Sequence, residues 1–122
     1  MNRLVWTGLA AGALALGISA PALSHHSHAM FDHATEVTIE GTVSEFSYRN
    51  PHVFLYVDIV EQGEAVKYWI EMSNIPNMIR RGIGANTFKS GDQVTVNMNP
   101  LTDGRPGGNY VTIVAADGNT YD

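Results

Sequence analysis

Apolar and polar residues alternate over short stretches along most of the chain, a period of two that predicts half-buried strands. The first stretch is Val37-Thr38-Ile39-Glu40-Gly41-Thr42-Val43, with Gly41 as a bend, and its apolar parity slips by one between Val43 and Phe46. Such a slip predicts a β-bulge that lets one long strand curl and serve both sides of a small barrel. Tyr48 to Pro51 reads as a turn, and His52 to Glu61, rich in β-branched and aromatic residues, as the second strand. After a turn at Gln62-Gly63-Glu64, a third strand runs from Val66 to Met72 with Val66, Tyr68, Ile70 and Met72 on one face. Ser73-Asn74 before Pro76, and Gly82 after Arg80-Arg81, are start and stop signals for a helix of about two turns. Gln93 to Met98 and Tyr110 to Ala115 read as the fourth and fifth strands, separated by a Gly/Pro/Asp-rich stretch, Asn99 to Asn109, that reads as a long loop.

The expected fold is therefore all-β with one short helix: a five-stranded OB-like barrel over residues 37–122, with the helix between strands three and four. A small open sandwich of the same strands is the alternative. Val43, Val57, Ile70, Val94, Val96 and Ile113 are expected in the core, with Met72, Met78 and Met98 as apolar filling. Phe54, Tyr56 and Trp69 could form an outer stacking surface, but their alternation with apolar neighbours reads as core.

A different pattern precedes residue 37. Asn2-Arg3 supplies a positive start, Leu4 to Ile18 an apolar run of the right length, and Ser19 to Ser24 a small-residue exit, which predicts a signal peptide over residues 1–24. The run is shorter than the ~20 residues a spanning helix needs. Export and cleavage are expected, with the mature chain periplasmic or secreted and not embedded in a membrane. Cleavage after Ser24 makes His25 the first residue, whose amine and ring can chelate one Cu(II) as a histidine brace. Cleavage after Ala22 makes His25 the third residue, the spacing at which amine, two amides and imidazole form a square-planar Cu(II) or Ni(II) site.

Residues 25–36 form a His-rich segment in which His25, His26, His28 and His33 fall within nine residues; the fifth histidine, His52, stands in Asn50-Pro51-His52. Imidazole is the commonest metal ligand, and a core has no use for adjacent rings that must each find a hydrogen-bond partner. Cysteine is absent, so a metal has to be held by His, Met, carboxylate or the chain's own amine. The candidate ligands are His25, His26 and His52, with His28 beside them and Met30 as a thioether; Asp32 or Glu71 could orient a ligating ring through its other nitrogen. About ten residues separate His26 from Val37, enough at ~3.3 Å each for the tract to return to His52.

Charge narrows the partners. Arg3 is the only charged residue before His25, so the remainder carries six Lys+Arg against twelve Asp+Glu, a balance of 6 − 12 = −6, and no nucleic-acid partner is expected. Arg80-Arg81 reads as a complement to a helix C-terminus. The stretch Asp103 to Gly108 follows no strand-to-helix pattern and reads as a mobile rim, not a phosphate cradle. Neither a Ser-His-Asp set, a carboxylate pair nor a His-x-x-x-His helix stands out, so no catalytic residue is assigned.

His-His-Ser at the signal exit, Ala29-Met30-Phe31-Asp32, Gly41-Thr42-Val43, Asn50-Pro51-His52, Arg80-Arg81-Gly82 and Lys89-Ser90-Gly91-Asp92 occur here in that order. Together they resemble domain-of-unknown-function family 6152, a group of secreted bacterial proteins. The resemblance implies export and a small β-rich domain, and its pattern carries His25, His26 and His52. His28 stands where that pattern usually has an aromatic residue, and Ile83 where it has tryptophan. The expected function is periplasmic copper binding or delivery, with a metal ion and a periplasmic protein as partners. Two alternatives use the same barrel: a redox enzyme built on the histidine brace, and a metal-free interaction module for an envelope partner or small ligand.

Overall fold

The structure, a computed structural model, describes residues 28–122. Its strands are β1 (Val37–Ser47), β2 (Phe54–Glu61), β3 (Glu64–Glu71), β4 (Gln93–Pro100), β5 (Gly107–Val114) and a two-residue β6 (Thr120–Tyr121); one helix, α1 (Ile75–Arg80), lies between β3 and β4. The hydrogen-bonded order is β3-β2-β1-β4-β5-β6, and a pairing between β3 and β5 closes the first five into an OB-like barrel. That closing pair is parallel, with Trp69, Ile70 and Glu71 opposite Gly107, Gly108 and Asn109.

β1 is long because it works for two neighbours. Val37 to Thr42 pairs with β4, Thr42 to Ser47 pairs with β2, and the register slips between Val43 and Glu45 where the apolar parity changes. The extra residue of this bulge bends the strand from one side of the barrel to the other. All six predicted core residues are 4% exposed or less, so the barrel is filled as the alternation requires. Met78 of α1, with Ile83 and Phe88 from the segment after it, joins the same core. The helix forms as its caps dictate: Asn74 accepts a hydrogen bond from Asn77 N–H at 3.0 Å, Pro76 occupies the first turn, and Gly82 takes φ +77° just past the end.

Three expectations need correction. The stretch from Asn99 to Asn109 is only partly loop: β4 runs to Pro100 and β5 starts at Gly107. Gly107 and Gly108 are buried in the closing seam, where a Cβ would stand 2.6 Å from the Trp69 carbonyl oxygen and 2.5 Å from that of Asn99. Glycine is there for close backbone approach rather than for a mobile rim. Next, β2 begins at Phe54, not His52, although the ladder continues one pair further: Val53 N–H donates to Ser73 C=O at 2.9 Å and Met72 N–H to Val53 C=O at 2.8 Å. Finally, Phe54, Tyr56 and Trp69 are not in the core. Leu55, Val57 and Ile70 point inward, so their alternating neighbours lie on the outer face of β2 and β3, half-buried against one another.

Candidate functional site

His25 and His26 lie outside the described residues, as does the signal peptide. His28 enters with its backbone, as the first residue of a 3-10 turn, His28–Met30. From there the chain forms a strap bound to the end of β4. Phe31 forms an antiparallel bridge with Leu101, Asp32 N–H donates to Pro100 C=O at 2.8 Å, and Thr102 N–H donates to Met30 C=O at 2.9 Å. The strap then turns on Asp32, whose carboxylate accepts from the Thr35 hydroxyl at 2.7 Å and from Ala34 N–H at 3.0 Å. Those two donors hold the Asp32 carboxyl below the usual carboxylate range. Buried Asn99 secures the far side of the turn: its amide donates to Thr35 C=O at 2.9 Å, and its oxygen lies 3.3 Å from His33 Nδ1.

This anchoring buries Phe31, with its ring edge-on to Trp69 at 6.0 Å between centroids. It also explains Glu71. Strand alternation puts Ile70 in the core and Glu71 on the outside, yet Glu71 is only 7% exposed. Phe31 and His52 line the same cleft over it, and His52 Nδ1 pairs with Glu71 Oε1. The Glu71 carbonyl is occupied separately, accepting from the Asn109 amide at 3.1 Å. A carboxylate that is buried must find a donor, and the imidazole N–H is that donor. The bond places a proton on Nδ1, so Nε2 is the nitrogen of this half-exposed ring left for a further partner.

The cleft around this pair has a volume of about 250 Å³ and is lined by Phe31, His52, Glu71, Met72, Ser73, Arg81, Asn109 and Tyr110. Arg81, the residue after α1, does not simply complement the helix. Its guanidinium carbon sits 5.6 Å from the Tyr110 ring centroid and Nη1 donates to the Tyr110 hydroxyl. Arg80, by contrast, stays on the helix and bonds the Asn77 side chain.

The cleft therefore collects His52 and the backbone that leads to His28. Of the two candidate orienters it uses Glu71, whereas Asp32 is consumed by the strap turn. Sequence reasoning misses Arg81, Tyr110 and Asn109 as site residues, and no local pattern marks them, because Arg81 and Tyr110 meet across 29 positions of sequence. Among the described residues, no group of three or more His, Cys, Asp or Glu side chains could hold a metal ion. No helix among them is long and apolar enough to cross a membrane.

The barrel has relatives among solved structures. The crystal structure of the mitochondrial single-stranded DNA binding protein Rim1 from S. cerevisiae, in its second form, superposes with a TM-score of 0.51 at 17% identity, covering 66% of this chain and 92% of that one. Its first form gives a TM-score of 0.48 at 14% identity, over 65% and 89% of the two chains. At such identity the likeness is one of fold. No curated protein matches the sequence. Residues 13–110, which span the strap, the cleft residues, β1 to β4 and the first half of β5, match the family of unknown function DUF6152, and the chain belongs to that family.

Proposed function

We infer that the protein is an exported copper-binding or copper-delivery module in which His52 acts with His25 and His26, and with His28 nearby. The observation that carries this reading is the bond between His52 Nδ1 and the buried carboxylate of Glu71. Metal-binding histidines are typically fixed in this way through the nitrogen that does not ligate, which sets the tautomer and raises the basicity of the other. Phe31 supports the reading too, since it lines the cleft with His52 and stands three residues after His28. On this reading the His tract, which leads into the strap, would reach His52 past Phe31. His52 alone is too little for a tight site, so this reading needs His25 and His26 to complete the ligand set.

The test uses protein recovered from cells expressing the full sequence. Its intact mass, with and without chelator, fixes the first residue and detects bound metal together. Cu(II) affinity is then measured by competition with a chromophoric chelator. His52→Ala and a single residue added before His25 are each expected to weaken binding at least about tenfold, the worth of one lost ligand or hydrogen-bonded charge. Unchanged affinity in both variants would sink the convergent site.

The outer aromatic row favours a second reading, a metal-free interaction module. Phe54 stacks on Tyr56 with centroids 6.3 Å apart and leans on Trp69 at 6.2 Å, on the outer face of the barrel. Rim1 is named as a single-stranded DNA binding protein, and aromatic rows of this kind can stack bases. Here the balance of −6 beyond residue 24 opposes a polyanion, so the partner of such a face would be a protein or uncharged polymer. Protein that carries no metal from the cell and binds none in vitro would favour this alternative.

A further inference from the structure

We propose that the cleft is also a binding site for a small carboxylate, held by Arg81. Its charges point there first. Besides Arg81 and Tyr110, two ionisable groups line the cleft, and they satisfy each other: Glu71 is taken by His52. Among the described residues no carboxylate lies within ion-pair distance of Arg81: Glu71 bonds His52, and Asp103 pairs with Arg105. Arg81 is exposed to solvent, yet it is not loose. The Tyr110 hydroxyl takes one N–H and the Tyr110 ring lies beneath the guanidinium, and Tyr110 is itself only 6% exposed and part of the core. A guanidinium steadied on a core residue, at the wall of a concave site and without a counter-charge, is preorganised for an anion from outside.

The remaining walls say which anion. A planar carboxylate fits the fork of one guanidinium through two parallel N–H···O bonds. A phosphate, carrying close to two charges, would find a single arginine in the cleft to offset them, which disfavours it. Phe31 and Met72, both buried apolar residues, supply a wall for an alkyl or aryl substituent. A cleft of about 250 Å³ suits a carboxylate of a few carbons. This site needs no metal, and it stands or falls separately from the copper reading.

The experiment titrates the purified, chelator-treated full chain with acetate, butyrate and inorganic phosphate, following the amide resonances of Asn109 and Tyr110. Saturable shifts are expected, with butyrate binding more tightly than acetate and phosphate binding most weakly. Arg81→Gln should weaken butyrate about tenfold or more, the loss typical of a charge-assisted pair, while Arg80→Gln should leave it unchanged. Tyr110→Phe removes only the hydroxyl that steadies the guanidinium; it should weaken butyrate by a smaller factor and keeps the question open to measurement if Arg81→Gln fails to fold. The proposal is overturned by the absence of a saturable shift with any carboxylate, by phosphate binding more tightly than butyrate, or by undiminished butyrate binding in folded Arg81→Gln or Tyr110→Phe.

Discussion

Ile70 and Glu71 are consecutive residues of β3, and each is almost wholly buried, yet they are buried by different parts of the chain. Ile70 points into the barrel, where apolar side chains from all five barrel strands meet. Glu71 points outward and would be solvated but for the strap, which brings Phe31 over it, and for His52. The first burial follows from strand alternation alone. The second requires a segment outside the barrel to be pinned down by hydrogen bonds. A core is thus robust to local change, whereas the cleft depends on a few polar contacts at its rim.

Truncating Ile70 to alanine is expected to have the largest effect, about 2–4 kcal/mol by chemical denaturation, the usual cost of emptying a buried branched side chain. A loss near zero would remove Ile70 from the core and void the comparison. Asn99→Ala tests the other region. It cuts the bonds to Thr35 and His33 and should cost about 1–2 kcal/mol, with faster hydrogen exchange at Asp32 and Thr102 and unchanged exchange at Val96 and Ile113. Faster exchange throughout would show that strap and barrel open as one unit.

The smallest effect belongs to the exposed hairpin. The Tyr68 hydroxyl donates to Glu61 at 2.5 Å, and this bond, followed by desolvation and the charge of Glu61, pushes its pKa up to about 12. The folded value lies above the ordinary one, so the stabilisation is complete below pH 10 and fades as pH rises towards 12. An ultraviolet titration should show Tyr68 ionising late, and Glu61→Gln should lower its midpoint.

Legibility in the sequence divides along the same line. The bulge after Val43, the cap at Asn74 and the stop at Gly82 are legible because each is a local signal with a local cause. The pairing of Glu71 with a histidine is legible in part, since Glu71 is one of two carboxylates that stand out as partners for an imidazole. The closing seam is not, because Gly107-Gly108 inside a Pro/Asp-rich stretch has the composition of a loop, and only the facing backbones of Trp69 and Asn99 reveal the need for glycine. Alternation misplaces the aromatic row although a clue is present: Asp58 shares its parity with Phe54 and Tyr56, and Lys67 shares that of Trp69, which marks both rows as outward. The Arg81–Tyr110 contact joins two elements through tertiary packing alone, which no periodicity encodes.

Because the parallel seam covers only Trp69 to Glu71, the preceding part of β3, from Glu64 to Tyr68, pairs with β2 on one side and has no strand on the other among the described residues. Such an unpaired edge invites a second chain to add itself as a further strand and to start a fibre. Here Glu64 and Lys67 stand exposed on that stretch, and a stranger docking there would have to strip water from both charges. The barrel leaves part of one strand uncovered and guards it with charge instead of structure.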